Sequence, residues 1–219
     1  MHSLPRIEPR AINFLAGEDL LSFLDAISGN PYETVFRLAI FTGMREGELI
    51  GLSWDDIDFE AGTIMVCQQM QLIKGEYKMV ATKNDKWRTL TPAAPVMEML
   101  RAHHKQQREK QLMAGELWNN EFNLVFTRET GENIARNTLY HTFKRLLKEA
   151  KLPETTRFHD LRHSYAVFAL EAGDNMKELQ AALGHYSAAF TMNTYAHVSD
   201  QARYESAKRQ EQKMKRMLG

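Results

Sequence analysis

The stretch RFHDLRHSYA, residues 157–166, sets two arginines and two histidines within seven positions at what reads as a helix start. Solvated helix faces favour Lys and Glu and cores favour aliphatic side chains, so planar cationic and protonatable donors at this density need a partner. His159 and Arg162, at i and i+3, share a helix face, and so do His159 and His163 at i and i+4. Three readings compete. Arg162 can pair with a nearby carboxylate while the histidines cap or fill. His159 and His163 can bind zinc, although Arg162 on the same turn repels a cation and no HExxH glutamate is present. Alternatively, the guanidinium fork can take phosphate oxygens.

Further residues of the same chemical character lie elsewhere in the chain. In TGMREGELIGLSWDDID (42–58), Arg45 follows Gly43 at a second helix start, where free N–H groups and the helix dipole favour an anion. An i,i+3 ion pair with Glu48 is the plainer reading, and it is compatible with fixing the guanidinium for a ligand. ATKNDKWRTLTP (81–92) reads as a hairpin, one strand into KNDK and one out, with Lys83 near the tip; exposed hairpin lysines are also common. In LGHYSAAFTMNTYAHVSD (183–200), Gly184 ends a helix, His185 follows at once, and Tyr195 comes ten residues later in a polar segment. Tyr195 alone reads equally as a half-buried aromatic with a satisfied hydroxyl.

The elements that must position these residues follow from periodicity. Apolar residues at helical spacing predict helices over 16–28 and over 30–43, the latter with Asn30 as N-cap, Pro31 at its first position and Gly43 at its end. A short helix, REGELIGL, comes next. Residues 54–92 change to β-branched and aromatic runs with turn signals at EAG and KGE, which predicts a small antiparallel sheet of about three strands. Helices return from Ala93, with an Asn-capped basic helix over 137–150, the helix opened by the 157–166 stretch, one over 175–183 and a charged terminal one over 200–217. The predicted class is mainly α with a small antiparallel β-sheet (α+β). The predicted organisation is a lead-in over 1–15, one catalytic domain over 16–199, and a terminal helix or tail over 200–219.

The 219 residues suffice to bury a sizeable core. No stretch reaches the ~18 to 20 continuous apolar residues of a membrane span, the N-terminus lacks an apolar signal region, and the single Cys67 excludes a disulfide framework. A cytoplasmic protein is expected. Net charge is zero but unevenly spread: residues 1–60 carry 4 Lys/Arg against 11 Asp/Glu, residues 61–150 carry 14 against 9, and residues 151–219 carry 10 against 8. An acidic front masks a moderately basic remainder, which permits phosphate contacts without requiring them.

Taken together, the motifs resemble the catalytic domain of the tyrosine recombinases, the family of phage and conjugative-element integrases and Xer-type recombinases. TGMREGELIGLSW resembles the family's first arginine box. KNDKWR, with Lys83 and with Arg88 five residues later, resembles its hairpin lysine, although Thr91-Pro92 stands where an apolar residue and Pro are common. HDLRH, LGH and TYAHV resemble its HxxR, second histidine and nucleophile boxes. The match runs from about residue 15 to 200.

The resemblance implies that Tyr195 is the nucleophile, that Arg45, Arg162, His159 and His185 bind the scissile phosphate, and that Lys83 is the general acid. It implies a DNA strand transferase working through a 3′-phosphotyrosyl link without metal or other cofactor. Its implied partners are double-stranded DNA, a tetramer of the chain on that DNA and an excisionase-type accessory protein; no membrane is involved. Arg88, Arg136 and Asn137 are further candidate DNA contacts, and residues 200–219 a segment that could dock on a neighbouring protomer. The ten-residue spacing from His185 to Tyr195 leans toward a mobile-element integrase. The alternatives are an Xer-type resolvase or an inactive DNA-binding regulator of the same fold. Full-length relatives carry N-terminal DNA-binding domains, so the chain is expected to be a fragment or to have those parts on another polypeptide.

Overall fold

The computed structural model describes residues 13–82, 87–184, 207–208, 211–212 and 214–217. Among them the order is α1 (Gly17–Ala26), α2 (Glu33–Thr42), α3 (Glu46–Ile50), β1 (Ile57–Asp58), β2 (Thr63–Val66), β3 (Gln68–Ile73), β4 (Glu76–Ala81), β5 (Arg88–Leu90), α4 (Ala94–Ala114), α5 (Arg136–Glu149), α6 (Asp160–Ala172) and α7 (Met176–Leu183). The architecture is mainly α with a small antiparallel β component, as the periodicity predicts.

Helix ends differ from expectation at two places. Asn30 does not cap α2: its side chain accepts from Tyr32 N at 2.9 Å, its carbonyl accepts from Glu33 N at 2.9 Å, and the helix starts only at Glu33. The Asn thus builds a turn of its own, a known alternative to capping. Helix α5 begins at Arg136, with Ala135 at the N-cap and no side-chain cap, so Asn137 lies inside the first turn and exposed.

The strands depart further. Among the described residues, five strands form two antiparallel sheets, a three-stranded one in the order β1-β2-β5 and a separate hairpin of β3 with β4. The expected hairpin around KNDK is therefore corrected. The strand entering it, β4, pairs with β3, and the strand leaving it, β5, pairs with β2 through Val66 opposite Arg88. The turn at Lys74-Gly75, both at positive φ, absorbs the chain reversal that makes β3 and β4 partners.

The core joins the helices to the site. Phe23 of α1, Phe36 of α2, Phe143 of α5 and Phe158, in the loop before α6, contact one another with ring centroids 5.4 to 6.0 Å apart. Each such pair is worth ~0.5 to 1.5 kcal/mol beyond its buried area. Phe158 directly precedes His159, so the hydrophobic core itself sets where the HDLR segment begins. Helix α2 packs on α6, and α3 packs on β3. Gly43, at φ 63°, ends α2 in the left-handed region and donates its N–H to Ala39 O. A Cβ there would also stand 2.4 Å from Tyr165 Cδ1 on α6, so both the backbone sign and the close approach require glycine.

Candidate active site

Arg45 is the N-cap residue of α3, and its N–H donates to Glu48 Oε2 at 2.8 Å. Its guanidinium donates to Glu48 Oε1 at 2.7 Å and to Gly184 O at 3.3 Å. The start of α3 is thus occupied by a carboxylate from its own first turn. Arg45 is oriented by the i,i+3 pair with Glu48, the plainer of the two readings its spacing allows and one compatible with a further ligand. Glu48 is only 1% exposed. Burial alone would raise its pKa, but the hydrogen bond and charge of Arg88, followed by Arg45, outweigh burial and hold it at about 2.

Arg162, in the first turn of α6, is 2% exposed. It donates to Gly43 O at 2.6 Å and to Leu183 O. These carbonyls belong to the C-cap of α2 and the last residue of α7. The cation lies between two helix C-termini, where unsatisfied carbonyls and the dipole favour positive charge. Arg45 and Arg162 reach adjacent carbonyls, Gly184 and Leu183, although they are 117 positions apart in sequence.

His159 is the N-cap residue of α6, with αR backbone angles. Burial lowers its pKa first, and the charge of Arg162 adds to this, with smaller effects from Arg157 and Arg45 against an opposing one from Asp160. His163, buried one turn later, is lowered to about 4 by burial and then by His159. The two rings meet edge-to-face at 5.4 Å and 87°. Both imidazoles are therefore held neutral near pH 7, each with one donor and one acceptor nitrogen. The other arginine of the segment, Arg157, turns outward and pairs with the buried Asp160 at 2.7 Å. Asp160 thereby satisfies the helix start with an acid, a partnership that the i,i+3 spacing of RFHD already carries.

A cleft of ≈ 400 Å³ opens beside these groups, lined by Arg45, Glu46, His159, Phe158 and Arg136 and by the β3 residues Gln69 to Leu72. Arg136 is 56% exposed at its rim, and its guanidinium donates to Glu46 Oε2 at 2.6 and 2.9 Å. Its N–H donates to Tyr77 Oη at 2.9 Å. Arg88 points inward instead, with a side chain 10% exposed. It bridges both oxygens of Glu48, at 2.9 and 2.7 Å, and donates Nε–H to Ala182 O at 2.7 Å. The structure therefore brings Arg45, His159 and Arg162 together, adds Glu48 and Arg88 to them, and leaves Arg136 at the edge. Lys83, His185 and Tyr195 lie outside the described residues. Among the described residues no group of three or more His, Cys, Asp or Glu is placed to hold a metal ion, and no helix is long and apolar enough to cross a membrane.

Residues 13–202 match the model of the phage integrase family, and the chain belongs to that family. A tyrosine recombinase XerC-like protein of Caldanaerobacter subterraneus subsp. tengcongensis is 36% identical over 200 residues, covering 85% of this chain and 51% of the relative. An integrase of Streptomyces ambofaciens is 28% identical, covering 88% and 51%. The chain thus spans about half the length of these relatives. In structure it is similar to the Tn1549 transposon integrase in complex with a circular intermediate DNA, with a TM-score of 0.74 and 26% identity over 93% of this chain and 67% of that one. The recombinase XerA shares the fold at a TM-score of 0.68 and 22% identity, covering 93% and 66%.

Proposed function

We propose that this chain is the strand-transfer portion of a site-specific DNA recombinase of the mobile-element integrase type, acting without a metal ion. The observation that carries this reading is the convergence of Arg45 and Arg162 on the neighbouring carbonyls of Gly184 and Leu183, next to His185 in sequence. A phosphodiester is negatively charged and repels nucleophiles, so its transfer depends on positioning and on stabilising charge at the non-bridging oxygens. Arg45 and Arg162 supply that charge, and His159, its pKa lowered by burial and by Arg162, adds hydrogen bonds together with His185. The Tyr195 phenol, of a type with an ordinary pKa of ~10, gives its proton to solvent water as the field of this pocket favours the phenolate, and attacks phosphorus. The P–O5′ bond breaks as the O–P bond to tyrosine forms. Lys83 gives a proton to the departing 5′-oxygen. A 5′-hydroxyl from a second duplex reverses the step, so one phosphodiester replaces another and no nucleotide triphosphate is consumed. Exchange between two duplexes uses four copies of the site, and hence a tetramer on DNA. The Tn1549 integrase's DNA complex supports DNA as the substrate.

The test is a nicked suicide duplex incubated with the chain in excess chelator. A covalent protein–DNA adduct is expected, and Tyr195→Phe is expected to abolish it. An adduct that persists in Tyr195→Phe removes the nucleophile assignment. One that requires a divalent ion removes the metal-free mechanism, and DNA binding with no adduct makes the chain a binding module.

A further inference from the structure

Arg88 lies five positions after Lys83 and, as part of a strand flanking a basic segment, reads in sequence as a DNA contact. Its surroundings assign it elsewhere. The side chain is 10% exposed and turned toward the Arg45–Glu48 pair. Three of its five N–H donors go to Glu48 Oε1, Glu48 Oε2 and Ala182 O, all within 2.9 Å. The Glu48 contact is the parallel two-bond fork that only arginine forms. Glu48 is in turn the carboxylate that orients Arg45, through its N–H and its guanidinium.

The Ala182 contact completes a pattern. The last three carbonyls of the α7 end, Ala182, Leu183 and Gly184, accept from Arg88, Arg162 and Arg45 respectively. A helix C-terminus attracts cations, and three arginines from β5, α6 and α3 divide its carbonyls one each. Gly184, at φ 60°, makes room for this arrangement, since a Cβ there would stand 3.2 Å from Arg88 Cδ.

We propose that Arg88 is a positioning residue for strand transfer, a strut that ties the strand leaving the Lys83 segment to the Arg45–Glu48 pair and to the end of α7. The proposal rests on the strand-transfer reading above. Its effect is exerted through Arg45: without Arg88, each Glu48 oxygen keeps only its bond from Arg45, nothing ties the carboxylate to β5 and α7, and the Arg45 guanidinium loses its fixed direction. A misplacement of about 1 Å in a positioned group can lower a rate by ~10²-fold.

The experiment compares the unaltered chain with Arg88→Lys and Arg88→Met. It measures adduct rate at saturating nicked duplex, duplex affinity across a salt series, and the guanidinium NMR signals of Arg45, assigned by their loss in Arg45→Lys. For Arg88→Met the expected results are an adduct rate lower by ~10²-fold, duplex affinity and salt slope unchanged, and Arg45 signals shifted and broadened. Arg88→Lys, which keeps the charge but cannot span both carboxylate oxygens, falls between and covers the case in which the Met variant fails to fold. A shallower salt slope with weaker binding would make Arg88 a phosphate contact and overturn the proposal, as would Arg45 signals unmoved in both variants. An unaltered chain that forms no adduct overturns the strand-transfer reading and the catalytic role with it, while the NMR comparison still reports separately whether Arg88 holds Arg45.

Discussion

At Glu48 a single buried carboxylate holds two guanidinium groups, and its removal should be costly in a specific way. Glu48→Gln keeps the shape and deletes the charge, leaving the buried Arg88 without its counter-charge and close to the more exposed Arg45. Breaking such a buried pair typically costs ~3 to 5 kcal/mol, and urea unfolding should report a loss of that order; a loss under ~1 kcal/mol would mean that the pair behaves as a solvated one. His163 sets a second, acid-sensitive term. Its folded pKa is about 4 against 6.5 for the free side chain, because burial and then His159 disfavour its cation. Between those values the unfolded chain binds more protons than the native one, so stability is full above pH 6.5 and declines as pH falls toward 4. Glu48 acts in the next window, its contribution present above 4.5 and lost as pH falls through about 2. Urea unfolding of His163→Gln should therefore show a flatter decline over the upper window by up to ~1.4 kcal/mol per pH unit, with the lower window unchanged. An identical slope in both proteins would remove His163 as the titrating group.

Helices such as α2 and α5 were legible because apolar residues recur along them at helical spacing, and Gly43 and Gly184 mark the ends of α2 and α7. The strands were legible as β-type sequence but not as partners. Pairing of β5 with β2 across the intervening β3–β4 hairpin is a long-range choice, and no local signal separates it from pairing with β4. That choice also hid the place of Arg88, since a residue on an assumed hairpin arm faces solvent, whereas one opposite Val66 faces α3 and α7. Arg45, His159 and Arg162 could be read from motif spacing, and their mutual approach depends on the contact of α2 with α6 at Gly43. Gly43→Ala tests that contact. A left-handed φ and a Cβ 2.4 Å from the Tyr165 ring should together cost more than ~1 kcal/mol in urea unfolding. Because Gly43 O accepts from Arg162, the adduct rate should fall as well, even at temperatures where the variant is fully folded. A fully folded variant with an unaltered rate would separate the helix contact from the site.

Over the whole molecule, net charge is zero, whereas the proposed function asks for a surface that attracts an anionic polymer, and the cleft offers a way to reconcile the two. Its rim carries the Arg136–Glu46 pair at 2.6 Å, and if the proposed duplex crosses this rim, the carboxylate holds the guanidinium face that a phosphate oxygen would take. Binding DNA there exchanges one anion for another, so part of the attraction of Arg136 is already spent in the free protein. Two variants follow from this exchange. Arg136→Gln should weaken duplex binding equally for all sequences and reduce the slope of log K against log salt by ~0.9, one phosphate contact. Glu46→Gln should do the reverse, tightening binding at a given salt concentration because Arg136 no longer has to be released and one negative charge leaves the cleft. The pair of results is diagnostic. If Arg136 were purely a tie between α5 and α3, Glu46→Gln would loosen that tie and weaken binding, and the salt slope would not change in either variant. Tighter binding in Glu46→Gln together with a shallower slope in Arg136→Gln would identify this rim as the place where the duplex backbone crosses the molecule.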